Sequence, residues 1–137
     1  MTLMPFRDVA LRLSAVAVAL AAGALPVRAA APELAMLSTL ERGGWDVKVR
    51  GEDSRSRLCL RQGTELIQIR HRQTACSRTV IEDGANAVVV SYSCPGNGYG
   101  RTTIRRESTR LVQIETQGIE NGLPFHFAAE ARHAGGC

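Results

Sequence analysis

The N-terminal segment indicates in which compartment this chain folds, and therefore whether its cysteines form disulfides. Arg7 and Arg12 precede an apolar run from Leu13 to Leu25, and Pro26 and several small residues follow it. This order is typical of a secretory signal peptide, and the run is too short to anchor a protein in a bilayer. We expect cleavage after Ala29, so that residues 1–29 are the signal peptide and the mature protein is periplasmic or secreted, with no transmembrane anchor.

The four cysteines, Cys59, Cys76, Cys94 and Cys137, all lie beyond this cleavage site. An even number of cysteines in a small exported chain indicates two disulfides, for which three pairings exist. The successive spacings of 17, 18 and 43 residues lack the close pairs of a zinc site. We favour the pairs Cys59–Cys76 and Cys94–Cys137, because the first closes a short loop and the second pins the chain end to the sheet.

Residues 30–43 form a predicted helical lead-in to a single β domain over residues 44–137. Leu34, Met36, Leu37 and Leu40 follow a helical period, which predicts a short helix from Pro32 to Arg42.

After this lead-in the hydrophobic period changes to two. Apolar and charged residues alternate from Trp45 to Arg50, which predicts a half-buried strand. A second strand is expected from Arg57 to Leu60. The segment from Thr64 to Arg72 fits a strand or a helix, and we favour a short helix because Thr64 can cap it.

The second half of the chain has the pattern of a meander. Predicted strands cover residues 77–82, 87–93, 99–107, 110–117 and 125–132. Asn121-Gly122 is a strong hairpin signal. We therefore expect a mainly β fold, an antiparallel meander curled into a barrel-like or sandwich form, with one or two short helices and two disulfides.

Two groups of residues are candidates for binding. The strand pattern places Trp45 and Val47 on one face, and likewise Phe125 and Phe127, so these four side chains are candidates to line an apolar cavity. The candidate interaction loop runs from Cys94 to Arg101 and comprises Cys94, Gly96, Gly98, Tyr99, Gly100 and Arg101. Its alternate glycines are able to cradle an anion, but a tight connection between strands is the favoured interpretation.

Composition and spacing argue against several classes of chemistry. The net charge of +4 falls to +2 without the signal peptide (14 basic minus 12 acidic residues), which is too little for nucleic-acid binding. His71, His126 and His133 lack the paired spacing of metal ligands. No nucleophile motif or desolvated carboxylate pair is present, so we predict no enzyme activity, catalytic residue, metal or cofactor.

A set of short motifs resembles a known family. In chain order they are Gly43-Gly44-Trp45, Cys59-Leu60, Cys76, Tyr92-Ser93-Cys94 and Gly135-Gly136-Cys137. Together with the signal peptide they resemble the exported bacterial family called domain of unknown function 3617, over about residues 36–137. The resemblance implies an envelope location and a β-rich fold, and it implies no activity.

Two functional hypotheses lead from the sequence, ahead of a third, a structural envelope component with no ligand. The first is a non-enzymatic envelope protein that binds an apolar or amphipathic ligand inside the curled sheet. The second is a protein–protein module, such as an inhibitor of a wall-degrading enzyme, which acts through the loop from Cys94 to Arg101.

Overall fold

The computed structural model describes residues 33–137. The predicted signal peptide lies outside these residues, as does the start of the helical lead-in. The helix α1 spans Ala35–Ser38, which is shorter than the prediction of Pro32 to Arg42. Leu34 has a φ of 57°, a left-handed conformation that stops the helix on its N-terminal side.

All the predicted strands are confirmed, with bounds that move by at most three residues. They are β1 Gly43–Val49, β2 Arg55–Leu60, β3 Ser77–Asp83, β4 Ala87–Cys94, β5 Gly98–Ser108, β6 Leu111–Glu120 and β7 Leu123–His133. Between β2 and β3 the predicted short helix is a single 3-10 turn, Thr64–Leu66, and the chain then continues as bends and turns.

The seven strands form one antiparallel sheet in the order β2-β1-β7-β6-β5-β4-β3. Strands β3 to β7 are the predicted meander, while β1 pairs with β7 and β2 pairs with β1. Asn121 and Gly122 have φ values of 49° and 80°. Two successive positive φ values are typical of a type I′ turn, whose twist matches that of the two flanking strands. The predicted hairpin turn is therefore confirmed.

One face of the sheet carries the hydrophobic core. Register places Trp45, Val90, Ile104 and Ile114 on this inner face, and each of them is at most 2 % exposed. The inner face is covered by α1 and by the segment that follows β2, which buries Leu66, Ile67 and His71. The opposite face carries charged and polar side chains, as expected for an antiparallel sheet with one solvated side.

The sheet curls but does not close. Seven strands spaced about 4.8 Å apart would separate the edge strands of a flat sheet by about 29 Å. Here residues of both edge strands, Arg57 to Cys59 of β2 and Arg78 of β3, line one cleft. The two edges therefore approach each other without pairing, and residues 64–74 lie between them.

The predicted disulfide pairing is wrong, although all four cysteines are bridged. The bridges are Cys59–Cys137 and Cys76–Cys94. Ser77 pairs with Ser93 in the β3–β4 hairpin, so the residues one step further out, Cys76 and Cys94, are juxtaposed.

The other bridge follows from the pairing of β1 between β7 and β2. Gly44 pairs with Cys59, and its backbone also bonds to Ala134 and Gly135. This places Cys137 beside Cys59.

Candidate functional site

The four predicted ligand-lining side chains are on the inner face, but they are not equally accessible. Trp45 is fully buried, and its Nε1 donates a hydrogen bond of 2.8 Å to the carbonyl oxygen of Glu41. Phe125 is half-buried and lies 5.7 Å from the ring of His71. Phe127 is half-buried at a cleft that opens to solvent, whereas Val47, which also borders this cleft, is only 1 % exposed.

A cleft with a volume of about 470 Å³ lies between β2 and residues 64–74. Its apolar wall includes Leu58 of β2 and Ile69, both half-buried. Its polar wall includes Gln68 and three arginines, Arg57, Arg72 and Arg78. The cleft therefore combines an apolar surface with cationic groups.

A second cleft, of about 230 Å³, continues along β2 toward its first residues. Val49 and Phe127 supply its apolar surface, and Arg55 and Ser56 border it from β2. Ile69 and Arg72 line both clefts, and so does β2. We call the two clefts together the seam, defined by residues 55–59 on one side and residues 64–74 on the other.

Residues 64–74 are fixed by contacts with α1 and with the core of the sheet. Gly63 has a φ of 89° and packs against Leu37 of α1, so closely that a Cβ would lie 2.8 Å from the Leu37 Cβ. Leu66 and Ile67 are buried, and the Ile67 carbonyl accepts a hydrogen bond of 2.5 Å from Thr102 Oγ1. The seam wall is thus fixed by core contacts rather than by its own exposed residues.

Gln68 connects this wall to the edge strand β3. Its amide nitrogen donates to the carbonyl oxygens of His71 and Gln73, at 2.9 and 2.6 Å. Its amide oxygen accepts from Arg78 Nε and Nη2, at 3.2 and 3.0 Å. Gln68 is 7 % exposed, so these bonds position the Arg78 guanidinium at the cleft.

Behind the seam lies a closed polar cluster. His71 is fully buried, and its Nε2 lies 3.1 Å from the Ile119 carbonyl oxygen while its Nδ1 lies 3.0 Å from the Tyr92 hydroxyl. A carbonyl oxygen only accepts, so Nε2 donates, and in the neutral ring Nδ1 accepts from Tyr92. Burial raises the pKa of Tyr92, and the charge of Glu120 acts in the same direction, while a hydrogen bond from Thr116 opposes it.

The candidate interaction loop is mostly strand. Only Pro95 to Asn97 form the turn, because Cys94 ends β4, where it is buried, and Gly98 begins β5. Asn97 donates from its Nδ2 to Gln73 Oε1 at 2.9 Å, which ties the turn to the seam wall.

Three residues of this loop have distinct surroundings. A Cβ on Gly100 would collide with the ring of Tyr92, so this glycine makes room for that ring. Tyr99 is 56 % exposed, and Arg101 is exposed beside it on the outer face. The favoured interpretation of the alternate glycines, a tight connection between strands, agrees with Gly98 and Gly100 lying within β5.

The sequence did not single out the residues that build the seam. Gln68, Ile69 and Arg72 lie in the segment whose structure the pattern left ambiguous, and Arg57 and Arg78 lie in the two edge strands. One sequence signal for this site was present, because Arg70, Arg72 and Arg78 lie close to one another in the chain.

Comparison with known proteins supplies no relative. No family model, curated protein or solved structure matches the chain. Within residues 33–137 no helix is long and apolar enough to cross a membrane, and no group of three or more His, Cys, Asp or Glu side chains is arranged to hold a metal ion.

Proposed function

We propose that this chain is a non-enzymatic protein of the cell envelope that binds an apolar or amphipathic molecule in the seam. The observation that supports the proposal is the cleft of about 470 Å³ at the unpaired edge of the sheet, a volume in the range of small-molecule sites. Leu58 and Ile69 give it apolar surface, and the arginines give it polar contacts.

The proposed location in the periplasm or outside the cell rests on two features. The chain has two disulfides, which persist in oxidising compartments. Its N-terminal segment has the pattern of a signal peptide.

The non-enzymatic part of the proposal is supported by the surroundings of His71. This imidazole is enclosed in the core, and both ring nitrogens have partners. It is therefore not placed to exchange a proton with a ligand in the seam, which is the requirement for a general base.

A pair of matched substitutions tests the proposal. Leu58→Gln puts a polar amide into the seam, whereas Leu123→Gln changes a leucine that is 71 % exposed elsewhere. We expect native mass spectrometry to detect complexes of wild type and Leu123→Gln with alkyl-chain compounds such as dodecyl maltoside or dodecanoate, and to detect little complex with Leu58→Gln. Wild-type protein that binds no alkyl-chain compound would contradict the proposal, as would equal binding by all three proteins.

A second candidate function is supported by the exposure of Tyr99. Exposed tyrosines and arginines are frequent anchors of protein interfaces, and Tyr99 and Arg101 lie together on the outer face of β5. In this alternative the protein is an interaction module, such as an inhibitor of a wall-degrading enzyme. Loss of capture of an envelope protein on Tyr99→Ala, with unchanged capture on Leu58→Gln, would favour this alternative.

A further inference from the structure

We infer that the seam takes a single-chain amphiphile with an anionic head group, and that Arg72 is the main residue that selects the anion. The inference rests on the proposed function and deepens it, because it specifies the class of ligand. A carboxylate and a phosphate share the chemistry in question, a compact oxyanion at the end of one alkyl chain.

Positive charge is concentrated along the seam. Its two clefts are lined by five arginines and two glutamates, a formal charge of +3, whereas residues 33–137 as a whole carry 14 basic and 12 acidic residues, a charge of +2. The arginines are Arg70, Arg72 and Arg78 together with Arg55 and Arg57, whose register with Lys48 and Asp46 puts their side chains on the outer face, and the glutamates are Glu52 and Glu65.

The carboxylates near the seam compensate only some of these charges. Arg70 is paired with Glu120 at 2.6 Å and Arg57 with Asp46 at 3.7 Å. Within the described part of the chain, no carboxylate lies within ion-pair distance of Arg55, Arg72 or Arg78.

Glu65 does not compensate the remaining charges. Its carboxylate accepts hydrogen bonds from the backbone N–H groups of Arg61 and Gln62, at 3.1 and 3.3 Å. This carboxylate is therefore oriented toward the backbone that precedes the 3-10 turn. An anion in the seam would meet cationic groups that still lack an acidic partner.

Arg72 has the position of a head-group residue. It lines both clefts, and its side chain makes no hydrogen bond or ion pair to any residue from 33 to 137. Arg78, in contrast, is held by Gln68 at 3.0 Å. The guanidinium of Arg72 is thus available for a bidentate contact with a carboxylate or phosphate, and Arg78 supplies a second, fixed cation in the same cleft.

The shape of the seam favours one extended chain. The two clefts run along β2 from Arg55 to Cys59, a distance of about 13 Å at 3.3 Å per strand residue. Apolar side chains follow this path on the inner side, from Val49 and Phe127 to Ile69 and Leu58. Because Arg72 lines both clefts, an alkyl tail that lies along β2 in either cleft has Arg72 in the same cleft as its head group.

Isothermal titration calorimetry with three dodecyl compounds tests the inference. The probes are dodecanoate, dodecyl phosphate and the neutral dodecyl maltoside, each below its micelle concentration. We expect one or both anions to bind about tenfold more tightly than the maltoside, the factor expected for a charge-assisted hydrogen bond. The tighter of the two anions identifies the head group, and added salt should weaken the binding of both.

Matched arginine substitutions locate the head-group site. Arg72→Gln should weaken binding of the anions by about tenfold and leave binding of dodecyl maltoside unchanged. Arg105→Gln removes the same charge from the outer face, where Arg105 is 58 % exposed, and should bind all three probes like wild type. Because the Arg72 side chain has no partner among the described residues, equal thermal unfolding of the unliganded proteins is expected and verifies folding.

The outcomes separate the inference from the function on which it rests. Equal binding of the anions and the maltoside, or anion binding unaffected by Arg72→Gln, overturns the inference that Arg72 selects an anionic head group. The proposal that the seam is a ligand site would then still stand. The absence of binding by all three probes overturns both.

Discussion

Tyr92 shows, at the scale of a residue, how one side chain joins three elements of the fold. It lies on β4, its hydroxyl contacts His71 of the segment under the sheet at 3.0 Å, and its ring occupies the space left by Gly100 of β5. The hydroxyl and the imidazole are both buried, where a polar group without a partner costs about 1–3 kcal/mol. The pair therefore stabilises the segment that forms the seam wall.

A Tyr92→Phe substitution tests this pair through the pH dependence of stability. We expect a loss of about 1–3 kcal/mol at neutral pH, because His71 loses its partner. Since burial raises the pKa of Tyr92 above its ordinary value of about 10, the unfolded chain ionises first. The free energy of unfolding of the wild type therefore falls as the pH rises from about 10 through the higher folded-state pKa. The Tyr92→Phe protein lacks this contribution, so its free energy of unfolding should fall less over the same range.

Denaturant unfolding between about pH 8 and pH 11, a range that brackets the ordinary tyrosine pKa, measures the effect. Tyr99→Phe is the matched control, because Tyr99 is 56 % exposed, and it should retain the wild-type slope. A Tyr92→Phe protein whose stability declines as steeply as that of wild type would contradict the account.

At the scale of elements, the two disulfides fasten different parts of the sheet. Cys76–Cys94 closes a loop with a sequence separation of 18 residues within one hairpin, whereas Cys59–Cys137 joins β2 to the chain end across a separation of 78. In the chain-entropy model these loops correspond to about 3 and about 4.5 kcal/mol. The longer bridge is also the one beside the seam, since Cys59 lines its larger cleft.

Paired serine substitutions compare the two bridges. Cys59→Ser with Cys137→Ser should lower the free energy of unfolding more than Cys76→Ser with Cys94→Ser does, by about 1 kcal/mol in the chain-entropy model. Chemical denaturation under oxidising conditions measures both. A larger loss on removal of Cys76–Cys94 would show that loop length does not determine how much each bridge stabilises the fold.

The sequence predicted the elements better than their pairing. Alternation of apolar residues fixed the strands of the meander, and Asn121-Gly122 fixed one hairpin. The β3–β4 hairpin, once predicted, already brought Cys76 close to Cys94, so this bridge was within reach of sequence reasoning. The pairing of β1 with β7 was not predictable in this way, because it joins residues that are 80 to 88 positions apart in the chain and has no local signal.

The seam was harder still to predict. Its residues come from both edge strands and from residues 64–74, and its existence depends on a sheet that curls without closing. Trp45 and Phe125 were sensible candidates by periodicity, but periodicity gives the face of a sheet and not the access of solvent to it.

At the scale of the whole molecule, we propose that the unpaired edges of the sheet form a binding site. An edge strand exposes backbone groups and is a feature that proteins usually protect. Here β2 faces residues 64–74 across clefts of about 470 and 230 Å³. Export directed by the N-terminal segment remains a prediction, as does the resemblance to domain of unknown function 3617. The proposed binding site does not depend on either of them.

Backbone amide chemical shifts, recorded while dodecanoate is titrated into the oxidised protein, locate the binding site residue by residue. We expect the largest changes on residues 55–59 and 64–74, with Tyr99 and the outer face of β5 unaffected. Changes confined to the turn at residues 95–97 and to Tyr99, or no saturable change at any residue, would contradict the proposal.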